Sequence, residues 1–480
     1  MDNYIKEHPL CIIINIKKVL SSIITIFIFF SVFLKNLPLP MHLFITMTLS
    51  ISVALVLIPR ALTWYSKKFT LTANSIEIHE GIISSNNTTI PYNKIHTVNF
   101  STNILMKFFK LTEIKVDTGE NLNSKKTEFS AILDIQTAKN IKETILKPKK
   151  SIEKPQSEKF KAFTRNITIK EIIILSLTSN ILFTGIIFFL AIINNIYEWL
   201  DSFPAYLEYM DITKLIENYS TKGINILDLL LKIFILFVLY IIVSSTISIA
   251  YNFLKYFNFT FKKENYNISI SYGLLENKVF TIPFEKIRAV YVKKPFLRNI
   301  FKYNSINVES IGYGNEKGES STIYPLLHIS EIDKFLESNL PEFTYSNEFI
   351  KPPLRSLIRF ILYYIRIPLV LSIFLTIFIP YGFALFFTLP VFIIAGYLEY
   401  KNTGIYKTGS NIIILKGFLG KTISIVPISA IQSVCTQMNI FQKRKNLFNF
   451  IIYYHGNEFN KNIKIKNMDT GILNEYLNII

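Results

Sequence analysis

Apolar runs near the length that crosses a hydrocarbon layer, about 20 residues for about 30 Å, recur along this chain in pairs. The first pair covers roughly 19–34 and 41–58, the second 172–193 and 226–250, the third 358–379 and 381–398. Hydrocarbon offers no water to backbone N–H and C=O groups, so runs of this length are read as helices. Six spans in three hairpins follow. Hydrophobic residues make up 50% of the 480 and mean hydropathy is +0.33, which is high for a soluble protein. The first run has a basic start at Lys17 and Lys18 but no small-residue cleavage site after it, so it is read as a retained span rather than a secretory leader.

The formal charge of +18 does not point to nucleic acid, because the basic residues flank apolar runs instead of covering one polar domain. They set orientation. Lys6, Lys17, Lys18, Arg60, Lys67, Lys68, Lys159, Lys161, Arg165, Lys170, Lys255, Lys262, Lys263, Lys351, Arg355 and Arg359 all fall on one side of the six spans. That side is expected to be cytoplasmic, with both termini, in a multi-pass protein of the bacterial plasma membrane. The loop at about 194–225 is acidic and carries Trp199 among tyrosines, as an outer loop with an interfacial aromatic belt would.

A second pattern follows each hairpin. Gly81 and Pro91, Gly273 and Pro283, and Gly417 and Pro427 stand at one spacing, and each proline is followed by Ile (Ile95, Ile287, Ile431) and Val (Val98, Val290, Val434) at matching distances. Around this skeleton the sequence alternates as strands do, with proline at a strand end or edge. Helical periodicity closes copy one (Ile132, Ile135, Ile141, Ile145) and copy two (Leu327, Ile332, Phe335, Leu336), with a shorter equivalent in 468–480. The unit is therefore a hairpin plus a sheet domain, three times over. Its parts are a hairpin at 1–62 and domain at 63–147, a linker at 148–170, a hairpin at 171–252 and domain at 253–342, then a hairpin at 343–400 and domain at 401–480.

At these residues the chain resembles bacterial pleckstrin-homology-like (PH-like) domains attached to paired membrane helices, the YdbT-type membrane proteins. The resemblance rests on Trp64 and Tyr65 after span two, on "FTLT" and "FTFK", on the Gly-to-Val skeleton, and on the aromatic segments "LMKFFKL" and "LRNIFKY". Copy three departs, with Arg444 and Lys445 where the others carry Phe108, Phe109, Ile300 and Phe301. The fold class expected is six membrane helices plus three α+β PH-like domains, each an antiparallel sheet or barrel with a C-terminal helix. The resemblance further implies a contribution to envelope defence, such as resistance to antimicrobial peptides, and a smaller PH-domain membrane protein as partner.

No constellation for catalysis stands out. The six histidines lack metal-ligand spacing, "GYGNEKGE" reads as a hairpin turn rather than a phosphate loop, and Cys11 and Cys435 read as ordinary thiols. No enzyme, metal or cofactor is expected. Within the spans, Arg366 is the clearest charge, and Asp228 and Lys232 are spaced to pair on one helix face. Lys293, Lys294, Arg298 and Lys302 interleave with Phe296, Ile300 and Phe301, and Lys443, Arg444 and Lys445 form a second cluster. These seven are candidates for meeting anionic lipid or a partner; on the alternative reading the aromatics are core and the lysines merely solvated. The function read from all this is a non-enzymatic membrane scaffold whose domains bind each other, a partner protein or the inner leaflet, with a homo-oligomer as a further expectation. The second reading is a transporter or exporter subunit in which Arg366 contacts an anionic solute.

Overall fold

A computed structural model describes residues 4–14, 16–33, 40–82, 84–95, 97–118, 129–146, 163–179, 226–264, 267–310, 322–346, 348–378, 382–454 and 461–472. The first module holds β1 (Ile5–Lys6), β2 (Lys68–Leu71), β3 (Ser75–Glu80), β4 (Asn86–Pro91), β5 (Thr97–Asn103), β6 (Leu111–Asp117) and β7 (Phe129–Asp134). The second holds β8 (Phe163–Asn166), β9 (Thr260–Glu264), β10 (Asn267–Tyr272), β11 (Glu276–Pro283), β12 (Ile287–Lys294), β13 (Tyr303–Ser310) and β14 (Thr322–His328). The third holds β15 (Gly404–Thr408), β16 (Asn411–Lys416), β17 (Lys421–Pro427), β18 (Ile431–Gln437), β19 (Leu447–Tyr454) and β20 (Lys461–Asp469). Every strand pairing among the described residues is antiparallel, and each module folds its strands into two sheets.

The repeated skeleton is the turn and corner of that fold. Gly81, Gly273 and Gly417 take φ of 109°, 112° and 141°. A side chain there would collide with a carbonyl three residues on: an added Cβ would lie 1.9 Å from the Ser84 oxygen, 2.1 Å from that of Glu276 and 1.8 Å from that of Gly420. Glycine is thus demanded by space as well as by backbone angle. Pro91, Pro283 and Pro427 end β4, β11 and β17, a single 3₁₀ turn follows, and the chain enters the second sheet. Val98 and Val290, seven residues past their prolines, are fully buried there.

The core lies between the two sheets. In module one Phe69, Ile76, Val98 and Ile114 pack together, and the helix Ile135–Leu146 covers them with Ala138, Ile141 and Ile145. The helix Ile332–Asn339 does the same in module two with Ile332, Phe335 and Leu336. Ile132 and Leu327, placed on these helices by periodicity, belong instead to β7 and β14. Strand leads into helix with at most a single 3₁₀ turn between them, so the apolar positions of the two merge into one apparent period. The shorter equivalent expected after 468 begins as strand and a 3₁₀ turn, and 473–480 lies outside the described residues.

Two features were not legible beforehand. First, each module opens with a strand or bridge ahead of its hairpin: Ile5 pairs with Phe69, Phe163 with Lys263, and Ile350 with Ile405. The chain leaves the sheet, runs through the hairpin and returns beside its own start. The linker reading of 148–170 is corrected accordingly, since 163–166 is strand and Ile169–Leu177 is a helix capped by a Thr168–Glu171 box; 148–162 is not described.

Second, the modules are sewn together edge to edge. β5 pairs with β11 (Val98↔Thr281 through Asn103↔Glu276) and β12 pairs with β17 (Val290↔Ile425 through Lys294↔Lys421). These joints make one sheet of order β7-β6-β5-β11-β10-β9-β8 and another of order β14-β13-β12-β17-β16-β15. The core of module two accordingly runs on into Ile423 and Ile425 of module three.

Four described helical segments are long and apolar enough to cross a membrane: Leu43–Ser66, Phe237–Tyr256, Leu354–Phe378 and Gly382–Lys401. The first expected span falls on the helix Ile16–Phe33, whose described apolar run, Val19–Ile28, is shorter. Span three lies mostly outside the described residues, as do the outer loop with Trp199 and the turn at 312–319. Small and hydroxylated residues line the helix contacts, as van der Waals packing in lipid favours. Ser248 Oγ donates to the Ser176 carbonyl at 2.8 Å and meets Ser179 Oγ at 2.9 Å. A Cβ on Gly396 would come within 2.6 Å of Ile361 Cα, so two helices of hairpin three approach closely there.

Candidate functional site: apolar tips beside the span ends

Many of the basic residues that suggest orientation also latch hairpin to domain. Lys67 pairs with Glu7 at 2.6 Å and donates to the Ser130 carbonyl at 2.5 Å, while Trp64 Nε1 donates to the Glu7 carbonyl at 2.9 Å. In module two Arg165 pairs with Glu331 at 2.7 Å and lies over the Tyr324 ring at 4.9 Å. In module three Arg355 pairs with Asp469 at 2.6 Å, Arg359 donates to Asn467 and Asn439 at 3.2 and 3.1 Å, and Lys466 pairs with Glu399 at 3.0 Å. Each foot is held by a cation reaching into its own domain. Beside the first foot, burial and then Glu7 push the Cys11 thiol up to about 12, which suppresses the reactive thiolate.

The aromatic segments form short helices that link the first two strands of each second sheet: Ile104–Phe108, Phe296–Ile300 and Ile440–Lys443. Asn103 and Asn439 cap two of them through side-chain oxygens, Pro295 starts the third, and Lys110, Lys302 and Asn446 close them with φ of 55°, 60° and 51°. These tips stand beside the span ends. Met106 packs with Ile14, just ahead of the first membrane helix, and Asn103 Nδ2 donates to the Ile14 carbonyl at 3.4 Å. In module three, Arg359 and Arg355 reach Asn439 Oδ1 and the Asn446 carbonyl from the foot of their helix.

The outward side chains are bare. Phe108 is 81% exposed, Phe301 58% and Phe441 68%, with Phe296 and Ile300 at 50% and 60%. The alternative reading that placed Phe296, Ile300 and Phe301 in the core is therefore overturned. They occupy the outer side of a helix too short to fold back over the sheet. The glycine turns share this end of the molecule: the Gly273 and Leu274 amides donate to Phe257 and Leu254 carbonyls at 3.0 and 2.9 Å, and Asn402 Nδ2 to the Phe418 carbonyl at 3.2 Å. Leu274, Leu275, Phe418 and Leu419 project from them, exposed. The joints set each turn beside the preceding module's tip, with Ser101 Oγ donating to Glu276 at 2.6 Å and Gly420 against Pro295. Tips and turns thus form one apolar row across three domains, larger than scattered surface leucines would make.

The charged candidates divide around this row. Lys293 and Arg298 lie at the second joint with Lys416 and Lys461; Lys293 is exposed there, and Arg298 is half-buried, its burial holding the guanidinium below its ordinary range. Glu309, 1% exposed, pairs with Lys461 at 2.5 Å as the carboxylate of that group. Lys294 is half-buried near Lys421, and Lys302 stands exposed at the end of its tip. Lys443, Arg444 and Lys445 are all exposed around the third tip. Arg366 stacks over the Tyr363 ring at 4.8 Å, and Lys466 covers the same ring at 4.0 Å, so Arg366 stands about one turn from the domain. Asp228 and Lys232 fall one turn apart on the helix Ile226–Tyr256, and their side chains lie outside the described residues.

Apolar helices long enough to span a membrane, rooted in two-sheet domains of which the first two carry a closing helix, define a membrane protein with repeated PH-like domains. The bacterial PH domain family description matches residues 17–149, 222–341 and 357–472, and the chain belongs to that family. It is also 24% identical over 465 residues to the UPF0699 transmembrane protein YdbT of Bacillus subtilis (strain 168), covering 92% of this chain and 90% of the relative. No solved structure matches.

Proposed function

We propose that this chain is a non-enzymatic scaffold of the bacterial plasma membrane, with six spans, both termini and all three PH-like domains on the cytoplasmic side, and its row of tips seated in the inner leaflet. The observation that carries the reading is the run of exposed aromatic and aliphatic side chains placed at the feet of the membrane helices. Apolar tips beside a membrane belong in its interfacial layer, and the flanking Lys302, Lys443, Arg444 and Lys445 add about 1 kcal/mol each against an anionic leaflet. Latches at every foot and joints between domains make the array a rigid platform rather than three tethered beads. The same reading includes a part in envelope defence and a smaller PH-domain membrane protein as companion, which the resemblance to YdbT-type proteins suggests.

The test is depth. Nitroxide labels at residues 108, 301 and 441, in Cys11→Ser, Cys435→Ser chain reconstituted in nanodiscs with anionic lipid, are read by their accessibility to oxygen and to a polar nickel chelate. Labels at all three tips should be oxygen-rich and chelate-poor. Equal access of the chelate to the tips and to Gln432 would contradict seating in the leaflet.

A further inference from the structure

The joint between modules is made twice inside the chain, and its two halves are left over at the ends. β5 and β12 are the first strands of their second sheets; each takes up the last strand of the next module's first sheet, β11 or β17. The register is the same in both joints. The valine seven residues past one proline faces the residue two before the next, Val98 opposite Thr281 and Val290 opposite Ile425. Module three has the corresponding donor edge in β18, and module one the corresponding acceptor edge in β4. Among the described residues neither has a strand on its outer side.

Both edges look like joint strands without their partner. In β11 and β17, Phe280 to Ile282 and Ile423 to Val426 are buried, whereas Asn86 to Thr89 of β4 are exposed. Val98 and Val290 are fully buried, and Val434 of β18 is only partly so. Proteins protect such edges from further pairing with lysines or other charges, yet neither β4 nor β18 carries a charged residue.

We infer that β18 of one chain pairs with β4 of a second copy, antiparallel and in the register of the internal joints, with Val434 opposite Thr89, Cys435 opposite Thr88 and Thr436 opposite Asn87. The contact is head to tail, so it closes into a ring where the rotation per chain permits and otherwise extends as an array in the membrane plane. Each added copy continues the row of tips along the same surface. The inference deepens the scaffold reading and rests on it for the meaning of that row, but not for the pairing itself.

Two differently tagged full-length chains, both Cys11→Ser, test it on co-expression in membranes. One keeps Cys435 and the other carries Thr88→Cys with Cys435→Ser; a second set pairs Thr436→Cys with Asn87→Cys, both with Cys435→Ser, because disulfides form best at the closer, non-hydrogen-bonded pairs of a ladder. Mild oxidation should yield a disulfide-linked species containing both tags in at least one set. Adding Asn86→Lys and Val434→Lys should reduce that yield at least tenfold. No doubly tagged product, equal yield from a control shifted by four residues (Ser84→Cys with Cys435), or capture of only a different protein at these cysteines would overturn it. Leaflet-seated tips without the cross-link would sink the pairing and leave the scaffold reading standing.

Discussion

At the residue scale, the three skeleton glycines do one job, and it was visible as spacing before it was visible as geometry. Gly273→Ala puts a methyl at φ 112° and 2.1 Å from the Glu276 carbonyl, and strain of this kind costs about 1–3 kcal/mol before the clash is counted. Gly409→Ala is the comparison, with φ 48° and nothing within 4 Å of the added atom. Thermal unfolding in detergent should show a clear drop in midpoint for the first and a small one for the second. A further residue-scale case is Glu309, buried in module two with Lys461 of module three as partner. Lys461→Ala removes the ion pair of a buried carboxylate, and with Lys461 itself a third exposed the cost is about 2 kcal/mol, below the 3–5 of fully buried pairs. Lys461→Met with Glu309→Gln should recover most of the lost midpoint, and a double variant no better than the single would contradict the pairing.

At the element scale, what could be read ahead and what could not follow from how far each signal reaches along the chain. The strand around Ile76 and Ile78, the strand end at Pro91 and the apolar helices announce themselves over a few residues. The leading strands do not: Phe163–Asn166 is four residues with three polar ones, and only its partner β9 makes it a strand. The exposed tips were half legible, since "LRNIFKY" showed aromatics among cations, but which side faced out depended on where the helix foot stood. Joints were not legible, because edge pairing between distant strands leaves no local periodicity. Hydrogen–deuterium exchange reads them directly: in micelles holding one chain each, amides of β5, β11, β12 and β17 should exchange as slowly as those of β6 and β13. Those on the outer edges of β4 and β18 should exchange fast. Uniformly fast exchange along β12 would deny the second joint.

At the scale of the whole molecule, strand pairing ties each hairpin foot to its domain and each domain to the next. Each hairpin begins and ends in one sheet, and each domain shares a ladder with the next. On the proposed scaffold reading, the triplicated unit offers what a single unit lacks, a continuous row of tips. The most direct measurement of that claim is cross-linking at the two internal joints in intact membranes, on a Cys11→Ser, Cys435→Ser background. Phe100→Cys with Val279→Cys, and Val292→Cys with Ile423→Cys, are each tried with the adjacent pair, Ser101 with Lys278 and Tyr291 with Ser424. Mass spectrometry of disulfide-linked peptides should find an intrachain bond at both joints; bonds at neither, or only between chains, would contradict the edge-to-edge array.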